Sequence, residues 1–145
     1  MFGEGYRIDV APDDTVWTVN NAGQAGYYNL APDAPLWLPA GPENLAADIG
    51  CQPSRAGVVG KIGPDSTIAC WALSTWDAPI PGSGTRIDVA ANGDLWVVSG
   101  AGDLWQYHAS EWSWRAASAL DVGCGANGQV WYISTDGTIQ RVADP

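Results

Sequence analysis

One motif occurs four times in this chain, and that recurrence limits the fold more than any other feature. The stretch IDVAANGDLWVVSGAGDLWQY at residues 87–107 has relatives at 8–28 (IDVAPDDTVWTVNNAGQAGYY) and 120–142 (LDVGCGANGQVWYISTDGTIQRV). A fainter copy, ADIGCQPSRAGVVGKIGPDSTIACW, covers 47–71. Aligned on the Asp of the opening tripeptide, the units start at Asp9, Asp48, Asp88 and Asp121, at intervals of 39, 40 and 33 residues. A period of this size marks a solenoid, a propeller or another array of repeated units.

Each unit has the same internal grammar. An Asp-Val or Asp-Ile pair leads into a turn rich in Gly, Asn and Asp, then a short apolar run, a second polar turn and a second run. Runs of four to six residues with turns between them predict four-stranded antiparallel sheets. The expected fold is therefore all-β: a small propeller of four short blades in one domain over 1–145, with units near 6–40, 45–79, 85–116 and 119–145. Trp17, Trp96 and Trp131 are each followed two positions later by Val19, Val98 or Ile133, one face of a strand, and are expected to form the core between blades. The Asp-to-Trp spacing is 8 residues in units one and three and 10 in unit four. Unit two fits the longer spacing with Val58 in place of the Trp, and Cys51 and Cys124 match in units two and four. The chain thus reads as two copies of a two-unit block.

Composition removes several function classes. With 6 basic and 16 acidic residues the net charge is −10, which opposes binding to nucleic-acid phosphates or anionic membranes. No apolar run reaches the length of a membrane span, and the start MFGEGYRIDV shows no signal peptide. Cys51, Cys70 and Cys124 suggest neither a disulfide framework nor a zinc site, and Cys51 and Cys124 are expected to be reduced, buried small residues on opposite sides of the axis. Catalysis has little support. The single His, His108, has no nucleophile elbow or metalloprotease helix around it, and the Asp13–Asp14 pair sits in a turn. Neither PDD at 12–14 nor GAGD at 100–103 has the ligand spacing of a calcium loop, so no metal or cofactor is expected. An Asp repeated in every unit points to a turn or a backbone hydrogen bond, because a catalytic residue needs no four copies.

The units resemble tectonin repeats, found in small lectin-like β-propellers. Unit one carries the pattern through Ile8, Asp9, Val10, Val16, Trp17, Val19, Asn20 and Gly23. Unit three does so through Ile87, Asp88, Val89, Gly93, Leu95, Trp96, Val98, Gly102, Leu104 and Trp105. Unit four keeps Asp121, Val122, Gly128, Val130, Trp131, Gly137 and Ile139, and unit two departs most. Members of that family commonly have five or six repeats. Four units leave a four-bladed ring, an open one, or one completed by another subunit of a homo-oligomer. Unit four ends before a closing strand, and residues 1–6, with Phe2 and Tyr6, are the candidates within the chain to supply it.

The resemblance implies a non-enzymatic carbohydrate-binding protein that recognises cell-surface glycans at the turns between blades. Tryptophan suits that role, since its flat apolar face stacks on a sugar ring while its N–H stays wet. The candidate ligand-binding residues are Trp105 and Tyr107, together with Trp37, Trp76, Trp112 and Trp114, which lie near turns in polar surroundings. Trp105 is favoured because its counterparts are Gly26 and Gln140, so the repeat does not need an indole there. The alternative is a structural or decoration subunit of a virion or surface appendage whose Trp-rich edges bind another protein. Either role fits a cell or virion surface.

Overall fold

A computed structural model describes residues 5–29, 36–41, 43–72 and 74–143. It contains β-strands and no helix among them. Blade 1 is β1 (Gly5–Val10), β2 (Val16–Asn20), β3 (Ala25–Asn29) and β4 (Leu36–Pro39). Blade 2 is β5 (Asp48–Cys51), β6 (Val59–Ile62), β7 (Ile68–Ala72) and β8 (Thr75–Trp76). Blade 3 is β9 (Arg86–Val89), β10 (Leu95–Val98), β11 (Leu104–His108) and β12 (Glu111–Ala116). Blade 4 has three strands, β13 (Ala119–Cys124), β14 (Val130–Ser134) and β15 (Ile139–Arg141). Every sheet is an antiparallel meander, and the four are arranged as blades whose first strands lie innermost and pack on one another in chain order.

The turns explain why these short runs become hairpins. Seven of them, starting at Ala11, Asn20, Gly63, Ala90, Ser99, Gly125 and Ser134, share one geometry: the first N–H donates to the fifth carbonyl, and the fourth N–H to the first carbonyl. That geometry needs a left-handed residue at the fourth place, and Gly23, Gly93, Gly102, Gly128 and Gly137 supply it, with Asp14 and Ser66 in the other two. In five of the seven an Asp or Asn at the third place accepts the fifth residue's N–H: Asp13, Asp65, Asn92, Asn127 and Asp136. Asp13 therefore closes a hairpin.

Three apolar clusters fill the three junctions. Trp17, Val19 and Ala25 of blade 1 meet Ile49, Cys51, Val59 and Trp71 of blade 2. Ile62 and Ile68 of blade 2 meet Ile87, Val89, Leu95 and Val97 of blade 3. Trp96, Val98 and Leu104 of blade 3 meet Ala119 and Val130 of blade 4. The repeated Asp locks these junctions at the axis. Asp9 Oδ2 accepts the N–H of Cys51 at 2.5 Å, Asp48 Oδ2 that of Ile87 at 2.9 Å, and Asp88 Oδ2 that of Cys124 at 2.6 Å. Arg7 adds an ion pair to Asp48 at 2.9 Å. Glycine is compulsory where the backbones approach most closely, since a Cβ on Gly50 would lie 2.5 Å from Asp88 Cα.

Two expectations need correction. Trp17 and Trp96 are buried between blades, but Trp131 is 45% exposed. Trp17 pairs with Asp9 and Trp96 with Asp88, whereas Trp131 pairs with Gly123, two positions past the Asp and so on the same face. Its counterpart in blade 2 is Gly60, opposite Gly50, and that face of blade 4 has no neighbour packed as at the other junctions among the described residues. The second correction concerns closure. Tyr6 lies in β1, which pairs with β2 within blade 1, and its hydroxyl bonds to the Ala46 carbonyl, so it adds no strand to blade 4; Phe2 lies outside the described residues. The three cysteines are free, with Cys51 buried and Cys70 and Cys124 half-buried.

Candidate functional site

A recess of about 540 Å³ opens between blades 3 and 4 beside the β9–β10 and β13–β14 turns. It exists because the duplicated blocks differ there. In the junction between blades 1 and 2, Tyr27 lies 5.0 Å and Trp71 5.9 Å from Trp17, ring centre to ring centre, and the space is full. By strand register the equivalents around Trp96 are Gln106 for Tyr27 and Val142 for Trp71. Two aromatic rings are thus replaced by an amide and an isopropyl group, leaving a half-polar hollow.

A hydrogen-bonded chain lines it. Asp94, buried at the end of the β9–β10 turn, accepts from Asn92 Nδ2 at 2.8 Å and from Gln106 Nε2, and pairs with His108 Nδ1 at 2.6 Å. Gln106 Oε1 in turn accepts from Arg115 Nε at 2.8 Å and from its Nη2. The Arg115 guanidinium sits 5.9 Å from the centre of the Trp96 ring. With its carboxylate occupied by three side chains, Asp94 positions the amide that holds Arg115. The guanidinium, the indole and the Asn92 and Asn127 turn amides then form the accessible chemistry. Asp94 is the one carboxylate lining this recess among the described residues, so no carboxylate pair for acid-base hydrolysis converges there.

A second groove, about 290 Å³, runs along the axis between the first strands. It gathers Asp9, Asp48, Asp88 and Asp121 with Arg7 and Arg86, and three of these carboxylates are the inter-blade locks described above. Burial pushes the Asp88 carboxyl up to about 7, against the two backbone N–H groups, of Cys124 and Val89, that favour its ionised form. Burial also pushes up the Cys51 and Cys124 thiols, which marks them as inert packing groups.

The residues expected from sequence to bind ligand lie elsewhere. Tyr107 and Trp112 pack with tilted rings, centres 4.8 Å apart, against the cluster between blades 2 and 3, with the Trp112 indole N–H donating to the Pro81 carbonyl at 2.6 Å. Trp105 pairs across strands with Trp114, whose indole faces Asp103 at 3.3 Å. Trp76 packs 5.2 Å from Trp71 under Lys61 and donates to the Ala40 carbonyl; Trp37 donates to Thr18 Oγ1 at 3.1 Å. The structure brings Trp105, Tyr107, Trp112 and Trp114 together on β11 and β12, while Trp37 and Trp76 stand apart on blades 1 and 2. None of the six lines the recess, which lies on the Gln106 face of β11. Asn92, Asp94, Gln106, Arg115 and Asn127 were missed, although the tripeptide Ala-Asn-Gly at 91–93 and again at 126–128 marks the two turns that frame the site.

Among solved structures the chain is similar to the WD40 β-propeller domain of Doa1, with a TM-score of 0.65 at 12% identity over 90% of this chain. The fold is a β-propeller. The chain spans 47% of that relative, about half its length, and at this identity the likeness is one of fold alone. No family model matches the sequence, and none of the curated proteins matches it.

Proposed function

We propose that this propeller is a tectonin-like, non-enzymatic carbohydrate-binding protein, and that a glycan occupies the recess between blades 3 and 4. The observation that supports this most is the chain running from His108 through Asp94 and Gln106 to Arg115. It fixes a guanidinium beside an indole in a hollow that the sister junction fills with two aromatic rings. A sugar matches that environment, because its hydroxyls accept from a guanidinium fork and from turn amides while its C–H face lies on apolar surface. A single site of this kind is weak, and binding to arrayed glycans gains from multiple copies.

The test is a glycan array with the wild-type chain and Arg115→Ala, followed by titration calorimetry on the best oligosaccharide. Losing a charge-assisted hydrogen bond should weaken binding by roughly 10- to 100-fold. Equal array signals from the two proteins, or none from the wild type, would reject the reading.

A further inference from the structure

We propose that the outer face of blade 4 docks on the outer face of blade 1 in a second copy of this chain, so that two four-blade arcs complete one ring. Successive first strands pack on each other from β1 to β13, yet β13 makes no comparable contact with β1 among the described residues. The two faces left over are apolar, and their residues are the register counterparts of the buried junction between blades 2 and 3. Ile8 corresponds to Ile87 and is 70% exposed where Ile87 is 3%. Ile139 corresponds to Ile68 and is 71% exposed where Ile68 is fully buried. Val10 and Ile133 repeat the relation with Val89 and Ile62.

Two polar and backbone details point the same way. Asp121 stands where Asp48 holds the N–H of Ile87. It keeps the matching arginine, Arg86 at 4.0 Å, but receives no backbone N–H from another blade among the described residues. Ile8, the counterpart of Ile87, carries the N–H that Asp121 would take in the next copy. Gly123 occupies the place of Gly50, where a Cβ would strike the strand of the next blade, yet nothing lies within 4 Å of a Cβ built on Gly123. An open face in one isolated chain gives no reason to keep glycine there; a second chain docked as blade 3 docks on blade 2 does.

The junction is a relative of its template with one departure. Trp131 replaces Gly60, above which Ile87 rests, and stands in a shallow hollow of about 250 Å³ on the open face. In the docked pair the indole lies in this hollow, and the first strands, with Asp121 and Gly123, keep the approach of their counterparts. A second copy fits the space that is left. Four blades that overlay 47% of a WD40 propeller domain leave room for about as many again, and each copy brings both faces. Head-to-tail contact between identical chains closes when the rotation is right, and here two copies suffice.

The experiment is sedimentation equilibrium of the 145-residue chain at physiological salt, where repulsion between chains of charge −10 is screened. Dimers of a 15.2 kDa chain are expected. Gly123→Leu should raise the dissociation constant by roughly 30-fold or more, as for a central interface position, and leave the monomer's melting temperature unchanged. Ile8→Glu, on the opposite face, should do the same. A monomer at every concentration overturns the proposal, as does an assembly indifferent to both substitutions. Gly123→Leu lowering the melting temperature of a monomeric protein would overturn it too, by showing that the chain closes on itself.

Discussion

Asp88 makes the stability of this propeller depend on pH in a direction opposite to the usual carboxylate. In the folded chain its carboxyl is pushed up to about 7 from 3.8, chiefly by burial at the axis. Below about pH 4 both folded and unfolded chains hold the proton. Between there and about pH 7 the folded chain still holds it while the unfolded chain has released it, so stability falls as pH rises through this window. At 1.36 kcal/mol for each tenfold change in proton affinity, the interval from 3.8 to about 7 sets a ceiling of about 4 kcal/mol. Burial raises the carboxyl against the N–H groups of Val89 and Cys124, which favour its ionised form. Asp88→Asn keeps an oxygen for the Cys124 N–H and cannot ionise. Urea unfolding of both proteins across the window measures the effect as the difference of their slopes. Asp48, whose carboxyl is also raised by burial, contributes equally to both and cancels. A difference that stays flat with pH would show that Asp88 is ionised throughout and that its two N–H donors outweigh burial.

Val142→Trp restores the indole that Trp71 places in the sister junction. It should abolish glycan binding on the array with the melting temperature unchanged or raised, because the recess has room for the ring. Trp96→Ala should cost about 3–5 kcal/mol in chemical denaturation as a buried aromatic, whereas Trp105→Ala, which loses a cross-strand pairing with Trp114, should cost about 1 kcal/mol or less. Gly50→Ala should destabilise the chain by about 1–3 kcal/mol, since its Cβ would meet the Asp88 backbone, and a neutral result in the same assay would disprove that close approach.

The blades were legible because their cause is local. Period-two apolar runs, turn glycines at the left-handed positions and the Asp at each entry are all set within a few residues of one another. The two-unit block was legible too, and its physical basis is now explicit. Asp9 and Asp88 both bond to a cysteine N–H in the next blade, while Asp48 bonds to Ile87. Trp131 was misplaced because aligning it with Trp17 by the motif ignores the register. The β13–β14 pairing sets it beside Gly123, one pleat along on the same face as Ile133, and in blade 4 that face has no next blade to cover it among the described residues. The recess was hidden for a related reason. It arises from what Gln106 and Val142 lack relative to Tyr27 and Trp71, a difference between side chains on separate blades that only the paired strands bring into correspondence.

The alternation of the axial locks has a consequence for how such a chain can change length. Blades 1 and 3 offer their Asp to a cysteine-bearing strand, and blade 2 offers its Asp to a strand that begins with Arg and Ile. Deleting or inserting one blade would set like against like, with two odd faces or two even faces opposed and both the locking N–H and the glycine clearance misplaced. Deleting or inserting two restores every lock. The unit of recombination in this architecture is therefore the pair, and viable length variants differ by about 70–80 residues rather than by 35–40, the size of one repeat in such arrays. Parity, more than blade number, is the conserved quantity of the design.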